Sequence, residues 1–293
     1  MTVSSVHNKT RELCTEAPHV RGENLCYKPV IVGYDKLGKP KKASCRKCIE
    51  CLQVRANEWG VRCHFELNSH KQNCFVTLTY SENPIYVIKS EVQKFIKRLR
   101  KMISPTKIKY FACGEYGDKK MRPHYHIVIF GYDFDDKEHG GLTDSEKAYY
   151  FSPKLEKLWP YGRAIVQEAN IQTVRYSAKY SAKLKNTLPE HLKEFPEFNL
   201  MSKNMGIEQI LEKMEIYMKT DEIYIDGFKY PIPQIVIDKY FFKILDGLPI
   251  HEIRQAINDW KSKRQFTYQS EKELKNRKRL AEKKKFNSKL RKL

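Results

Sequence analysis

Two short stretches roughly fifty residues apart impose different backbone periods on this chain. Arg122-Pro123-His124-Tyr125-His126 runs straight into Ile127-Val128-Ile129-Phe130, a strand pattern. Side chains alternate along a strand, so His124 and His126 share one face, as two ligands of one metal would. Tyr176-Ser177-Ala178-Lys179-Tyr180-Ser181-Ala182-Lys183 is one tetrapeptide written twice. It lies where Ile171, Val174, Ala178 and Ala182 recur at helical spacing. A helix sets Tyr176 and Tyr180 one turn apart, with Lys179 and Lys183 alongside, on a side distinct from the apolar stripe. A phenol, with a pKa of about 10, is a weak nucleophile. A neighbouring ammonium and a metal-polarised phosphate are what it needs to attack phosphorus. Together the two stretches imply cutting and rejoining of a phosphodiester through a phosphotyrosine.

The 293 residues can bury a sizeable core, as one domain with extensions or as two. The balance of 55 Lys+Arg against 35 Asp+Glu, a net +20, points to a polyanionic partner. Residues 261–293 hold fourteen Lys and Arg against three Glu, +11 of that total, which leaves about +9 for the rest. Such a tail is expected to be helical or disordered until it meets DNA, and to add non-specific affinity. No charged-then-apolar leader opens the chain, and no apolar run approaches the ~20 residues that span a bilayer. A cytoplasmic protein with no membrane partner is therefore expected. In that compartment eight cysteines argue against a disulfide framework and for metal or free thiols.

The order of local signals gives the organisation. Residues 1–72 are irregular and Cys-rich, with a helix expected over 53–68. A strand is expected over 74–80. Ser90 is the expected N-cap of a helix whose Val92, Phe95, Ile96, Leu99, Met102 and Ile103 follow helical spacing. Residues 107–114 and 122–131 read as a hairpin, Ser152-Pro153 as a helix start, 162–169 as a strand, and Asn170 as the cap of the tyrosine helix. Strands and helices in this order predict an α+β domain over 73–186, with an antiparallel central sheet flanked by helices. A mixed accessory region, 187–260, and the basic tail, 261–293, follow it.

Glu115 ends the partner strand across the hairpin from both histidines, where its carboxylate can complete a ligand set. Two nitrogens and one oxygen, with positions open to phosphate oxygens, suit Mg²⁺ or Mn²⁺, and the imidazoles lean towards Mn²⁺. Asp133, Asp135, Asp136, Glu138 and His139 read as a solvated acidic loop rather than a second site. Cys26, Cys45, Cys48 and Cys51, spaced C-x18-C-x2-C-x2-C, can furnish four thiolates to a tetrahedral Zn²⁺. Reduced, unliganded thiols are the alternative. Cys14, Cys63, Cys74 and Cys113 are expected to pack as small apolar side chains.

Phe75-Val76-Thr77-Leu78-Thr79-Tyr80, Pro123-His124-Tyr125-His126 and Tyr176-x-x-Lys179-Tyr180-x-x-Lys183 resemble the three ordered motifs of the HUH rolling-circle replication initiators. More narrowly, Cys45-Arg46-Lys47-Cys48-Ile49-Glu50-Cys51, Phe111-Ala112-Cys113-Gly114-Glu115-Tyr116-Gly117 and Arg122-Pro123-His124-Tyr125-His126 are similar to the initiators of gokushoviruses, single-stranded DNA phages of the microvirus group. The likeness covers roughly 26–186. It implies an HUH endonuclease domain over 73–186, nicking by Tyr176 or Tyr180 with a 5′-phosphotyrosine, and later religation into circles. It also implies single- and double-stranded origin DNA as partners, a host helicase and polymerase, and work in the host bacterial cytoplasm. This chain carries both tyrosines, as the two-tyrosine gene A class does. A plasmid relaxase or transposase of the same nuclease group would share the chemistry. A non-enzymatic zinc-bearing nucleic-acid binder would explain the charge and the cysteines alone.

Overall fold

Central strands that are apolar on both faces anchor a seven-stranded antiparallel sheet. The computed structural model describes residues 26, 28–34, 38, 40–82, 86–117, 121–143, 146–171, 173–174 and 188–263. The order is β1 (Val30–Tyr34), β2 (Pro40–Ala43), α1 (Ile49–Asn68), β3 (Asn73–Thr79), α2 (Lys89–Met102), β4 (Lys109–Tyr116), β5 (Pro123–Phe130), β6 (Glu138–Leu142) and β7 (Ala148–Phe151). It continues with α3 (Pro153–Leu158), β8 (Ala164–Glu168), β9 (Phe198–Met201), α4 (Ile207–Leu211), α5 (Met214–Thr220), β10 (Glu222–Ile225), β11 (Phe228–Pro231), α6 (Gln234–Ile244) and α7 (Ile250–Lys263). Two compact units divide the chain: residues 55–212, and residues 1–54 with 213–293.

In the first unit the strand order is β6-β7-β8-β3-β5-β4-β9. One face carries Cys74, Val76, Leu78, Tyr125, Ile127 and Ile129, packed with Val92, Phe95, Ile96 and Leu99 of α2 and Leu155 and Leu158 of α3. Each such side chain, fully buried, contributes about 1.5–3 kcal/mol. The other face carries Phe75, Phe111, Val128 and Phe130, packed with Cys63 of α1, Val174 and Met205. Because both faces are covered, the centre of β5 shows none of the polar alternation of a half-solvated strand. The expected α+β class and flanked antiparallel sheet are thus what the chain forms.

The buried carboxylate of Glu66 in α1 accepts from the Gly206 N–H (2.7 Å), His70 (2.7 Å) and Lys109 (2.9 Å). Gly206 has φ +66°, and a Cβ there would meet the Arg62 carbonyl oxygen at 2.0 Å, so only glycine fits. Burial alone would raise the Glu66 carboxyl, but these donors outweigh it and hold it below the ordinary glutamate value.

Two local expectations need correction. Ser90 does not cap α2: the cap is Ile88, with no side-chain bond. The Ile88 carbonyl accepts from the Glu91 N–H, and its N–H donates to the Tyr125 hydroxyl at 2.7 Å, so tertiary contact starts the helix before the serine. The acidic loop is partly structural. Asp136 receives the Ser152 hydroxyl and the Lys154 N–H at the start of α3, while Glu138 and His139 enter β6. By contrast Ser152 caps α3 as expected, accepting from the Leu155 N–H.

In the second unit β1 pairs with β2 and β10 with β11, both antiparallel. Ile223, Ile225, Val236, Ile237, Phe241, Ile253 and Ile257 are buried, and Phe241 of α6 meets Trp260 of α7 edge-on. No described helix is long and apolar enough to cross a membrane.

Candidate metal centre

The register of β5 between its neighbours assembles one cluster. His124 lies opposite Glu115 of β4 and Thr79 of β3, and His126 lies opposite Cys113 and Thr77. Even-numbered β5 residues continue the Val128 and Phe130 face, so both imidazoles and the Glu115 carboxylate converge at its end. His124 Nε2 is 2.7 Å and His126 Nε2 3.2 Å from Glu115 Oε1. Glu115 is 2% exposed and His126 7%. The His126 ring stacks on Phe75 at 5.4 Å and stands edge-on to His124 at 4.9 Å.

Outer contacts aim the ring nitrogens. Thr77 Oγ1 lies 3.1 Å from His126 Nδ1, which turns Nε2 towards Glu115. His124 Nδ1 lies 3.1 Å from the Arg122 carbonyl oxygen. A carbonyl only accepts, so a proton on Nδ1 suits that contact and leaves the Nε2 lone pair for a cation beside the carboxylate. A cation between Nε2 and the carboxylate would satisfy both groups. Adjacent ligands of an octahedral ion, about 2.1 Å from the metal, stand about 3 Å apart. The two contacts to Oε1 bracket that spacing, so this donor set fits a small divalent cation.

Tyr125, between the histidines, points to the opposite face. Its hydroxyl accepts the Ile88 N–H and lies 2.9 Å from the Tyr80 hydroxyl. Both rings are buried, and burial pushes both phenols up.

The cysteines form a second cluster. The Sγ atoms of Cys26, Cys45, Cys48 and Cys51 lie within 4.8 Å of one another. Cys26–Cys48 is 3.8 Å and Cys45–Cys51 4.0 Å. Four thiolates at about 2.3 Å from a tetrahedral Zn²⁺ would stand about 3.8 Å apart. The Cys45 N–H donates to Cys26 Sγ at 3.1 Å, and the Cys48 N–H to Cys45 Sγ at 3.3 Å. Against the rise from burial, the Lys47 N–H, the Cys26 thiol and the Cys48 N–H bring the Cys45 thiol down to about 7. Cys63 and Cys74 are buried among apolar side chains, Cys113 is buried with its thiol donating to the His126 carbonyl, and Cys14 lies outside the described residues.

Tyr176, Lys179, Tyr180 and Lys183 also lie outside the described residues, as do residues 264–293 of the basic tail. The approach to the tyrosine stretch is described. Asn170 Oδ1 accepts from the Thr173 N–H, and Val174 packs in the layer of Phe75, the ring that stacks on His126. Sequence reasoning passed over Thr77, although its period-2 phase with Thr79 put it on the histidine face. It also missed Arg163, which no local pattern marks. Both line a groove of about 800 Å³ beside His124.

The family profile of replication-associated proteins of the ORF2 type matches residues 73–185. The chain is 37% identical over 212 residues to the "Replication-associated protein ORF2" of Spiroplasma virus 4, covering 67% of this chain and 65% of that protein. It is 31% identical to the "Replication-associated protein ORF4" of Chlamydia phage 1, covering 66% of this chain and 52% of that protein. Against the "Replication-associated protein VP4" of Bdellovibrio phage phiMH2K, identity is 28%, over 73% of this chain and 76% of that protein. The match thus spans less than two thirds of the first two relatives. No solved structure matches the chain.

Proposed function

As a member of the replication-associated protein family of small bacteriophages, this chain is, we propose, an initiator of rolling-circle replication. In this reading it is a metal-dependent, site-specific endonuclease and ligase acting on single-stranded origin DNA. The observation that carries the reading is the convergence of Glu115, His124 and His126 on the sheet face that also receives Val174, two residues before Tyr176. Mg²⁺ or Mn²⁺ held there supplies Lewis acidity to the scissile phosphate. Thr77 and the Arg122 carbonyl keep the two imidazoles aimed.

Tyr176 or Tyr180 attacks phosphorus. A phenolic O–P bond forms, the bond from phosphorus to the 3′ oxygen breaks, the phenol proton leaves to water and the 3′ oxygen takes one up. The products are a 5′-phosphotyrosine and a free 3′-OH, from which a host polymerase extends once a host helicase has opened the duplex. Lys179 and Lys183 offset the charge that builds on the phosphorane. After one circuit the second tyrosine cuts the regenerated origin. The new 3′-OH then attacks the first phosphotyrosine, closing a circle without nucleotide hydrolysis. We assign Zn²⁺ to the four-cysteine group on its sulfur spacing, in a structural role.

The test is incubation of the purified protein with phage-derived single-stranded DNA and Mn²⁺, resolved on a denaturing gel. We expect a covalent adduct that is lost in EDTA and in the Tyr176→Phe/Tyr180→Phe double variant. Either single variant should keep some adduct but release no closed circles. An adduct undiminished in EDTA or in the double variant overturns the mechanism. DNA binding with no adduct under any divalent metal would select the non-enzymatic zinc-bearing binder, the reading favoured by the cysteine cluster alone.

A further inference from the structure

The groove of about 800 Å³ beside His124 is floored by the ends of β5, β3, β8 and β7. Register puts Thr77, Thr79 and Ile165 on the same face of the sheet as His124. Across that floor the groove extends about 14 Å, three strand spacings, room for about four stacked nucleotides or fewer extended ones. Its far wall is the β6–β7 hairpin, with Leu142 and Tyr149.

Arg163 stands at this wall. Its guanidinium lies 5.1 Å from the Tyr149 ring centre and 5.3 Å from that of Phe151, two rings that meet edge-on. Gly140 seats the Tyr149 ring, since a Cβ there would lie 2.5 Å from it. Arg163 is exposed, and among the described residues no carboxylate pairs with it. The same holds for Arg122, whose Nη2 donates to the Tyr80 carbonyl at 2.9 Å on the His124 side of the groove. Two unneutralised guanidiniums therefore flank one groove, and aromatic stacking pre-orients one of them while its N–H edge stays available. That combination of aromatic surface and unpaired positive charge is the chemistry of a single-stranded polynucleotide track.

We propose that this groove is the channel for single-stranded DNA, and that Arg163 grips a backbone phosphate a few nucleotides from the one held at His124. The inference rests on the nuclease reading for the position of the reacting phosphate. Arg163 touches substrate away from the reacting atoms, so it sets affinity and register.

The experiment measures binding of the full chain to fluorescein-labelled oligothymidine by anisotropy, in EDTA, across a salt series. Arg163→Ala should weaken binding about tenfold and lower the salt slope by about one, with Arg163→Lys recovering part of both. Leu142→Glu, at a position 62% exposed, should also weaken binding by placing an anion on the wall. Wild-type affinity and slope in Arg163→Ala, or a loss seen only with duplex DNA, overturns the proposal. Adduct formation in Mn²⁺ separates the two readings. Arg163-dependent binding without any wild-type adduct would sink the nuclease and leave the channel standing. A normal adduct with Arg163-independent binding would do the reverse.

Discussion

Glu115, His124 and His126 are held by a strand ladder, whereas Cys26, Cys45, Cys48 and Cys51 come from segments with little regular structure. In the first cluster each histidine faces a partner on both neighbouring strands, and its face continues into a buried apolar layer. In the second, the ligands come from the stretch before β1, the turn after β2 and the first turn of α1. The β1–β2 hairpin beside them exposes Val30, Ile31, Val32 and Tyr34. Isolated hairpins are marginal in water. The sheet can therefore present its ligands with or without an ion, while the cysteine segment has little regular structure of its own to hold its shape. Under the proposed function, the contrast separates a site where metal would do chemistry from one where metal would make structure.

The largest test of that contrast is zinc removal. Chelation under reducing conditions, or Cys48→Ser, should cost an apparent stability of order 10 kcal/mol to the cysteine segment, because ligation and folding are coupled there. Hydrogen exchange should speed up over residues 40–54 while β3, β4 and β5 stay protected. Protection lost equally in the sheet would break the distinction. Next comes His124→Ala, which should cut adduct formation by about a thousandfold, the several kcal/mol that a metal ion contributes to a developing charge, with the sheet still protected.

A third test concerns what the sheet unit uses in place of metal at its other end. Glu66→Gln should destabilise the unit by about 3 kcal/mol by weakening three donors to a buried carboxylate. Because the folded state holds this carboxyl below its free value of 4.5, the unfolded chain binds the proton more tightly. The stabilisation is complete above about that pH and fades as pH falls further. Melting curves of wild type and variant should therefore draw together on the acid side, and a constant gap would contradict the network. The smallest effect is Thr77→Val, which should lower Mn²⁺ affinity about tenfold by freeing the His126 ring, with little change in melting temperature.

The sequence made the central hairpin legible because strand period, apolar continuity and paired histidines agreed over the same residues. Glu115 was found because a hairpin register follows once both strands are known. The cysteine spacing was legible for the same local reason. Other parts depended on distant partners. Glu138–Leu142 lacks apolar alternation and carries Gly140 and Gly141, so nothing local marks it as a strand; it forms by pairing with Ala148–Phe151. Phe198–Met201 is an edge strand of four residues, formed against β4. Ser90 had the chemistry of a cap, but the Tyr125 hydroxyl reached Ile88 first. Arg163 became visible only when two aromatic rings from another hairpin came within stacking distance.

That Tyr125 hydroxyl has a consequence for how the chain avoids an inactive fold. A one-residue slip of this strand would turn every side chain over, carrying Tyr125 to the face that holds Glu115 and both imidazoles into the apolar core. In the observed phase the phenol accepts the Ile88 N–H and meets the Tyr80 hydroxyl, both beneath the sheet. In the slipped phase it would reach neither, and two imidazoles would be buried without donors or acceptors. The residue between the histidines thus proofreads the strand: a molecule that threads it wrongly loses stability at once, before it could persist as a well-packed protein with no ligand set.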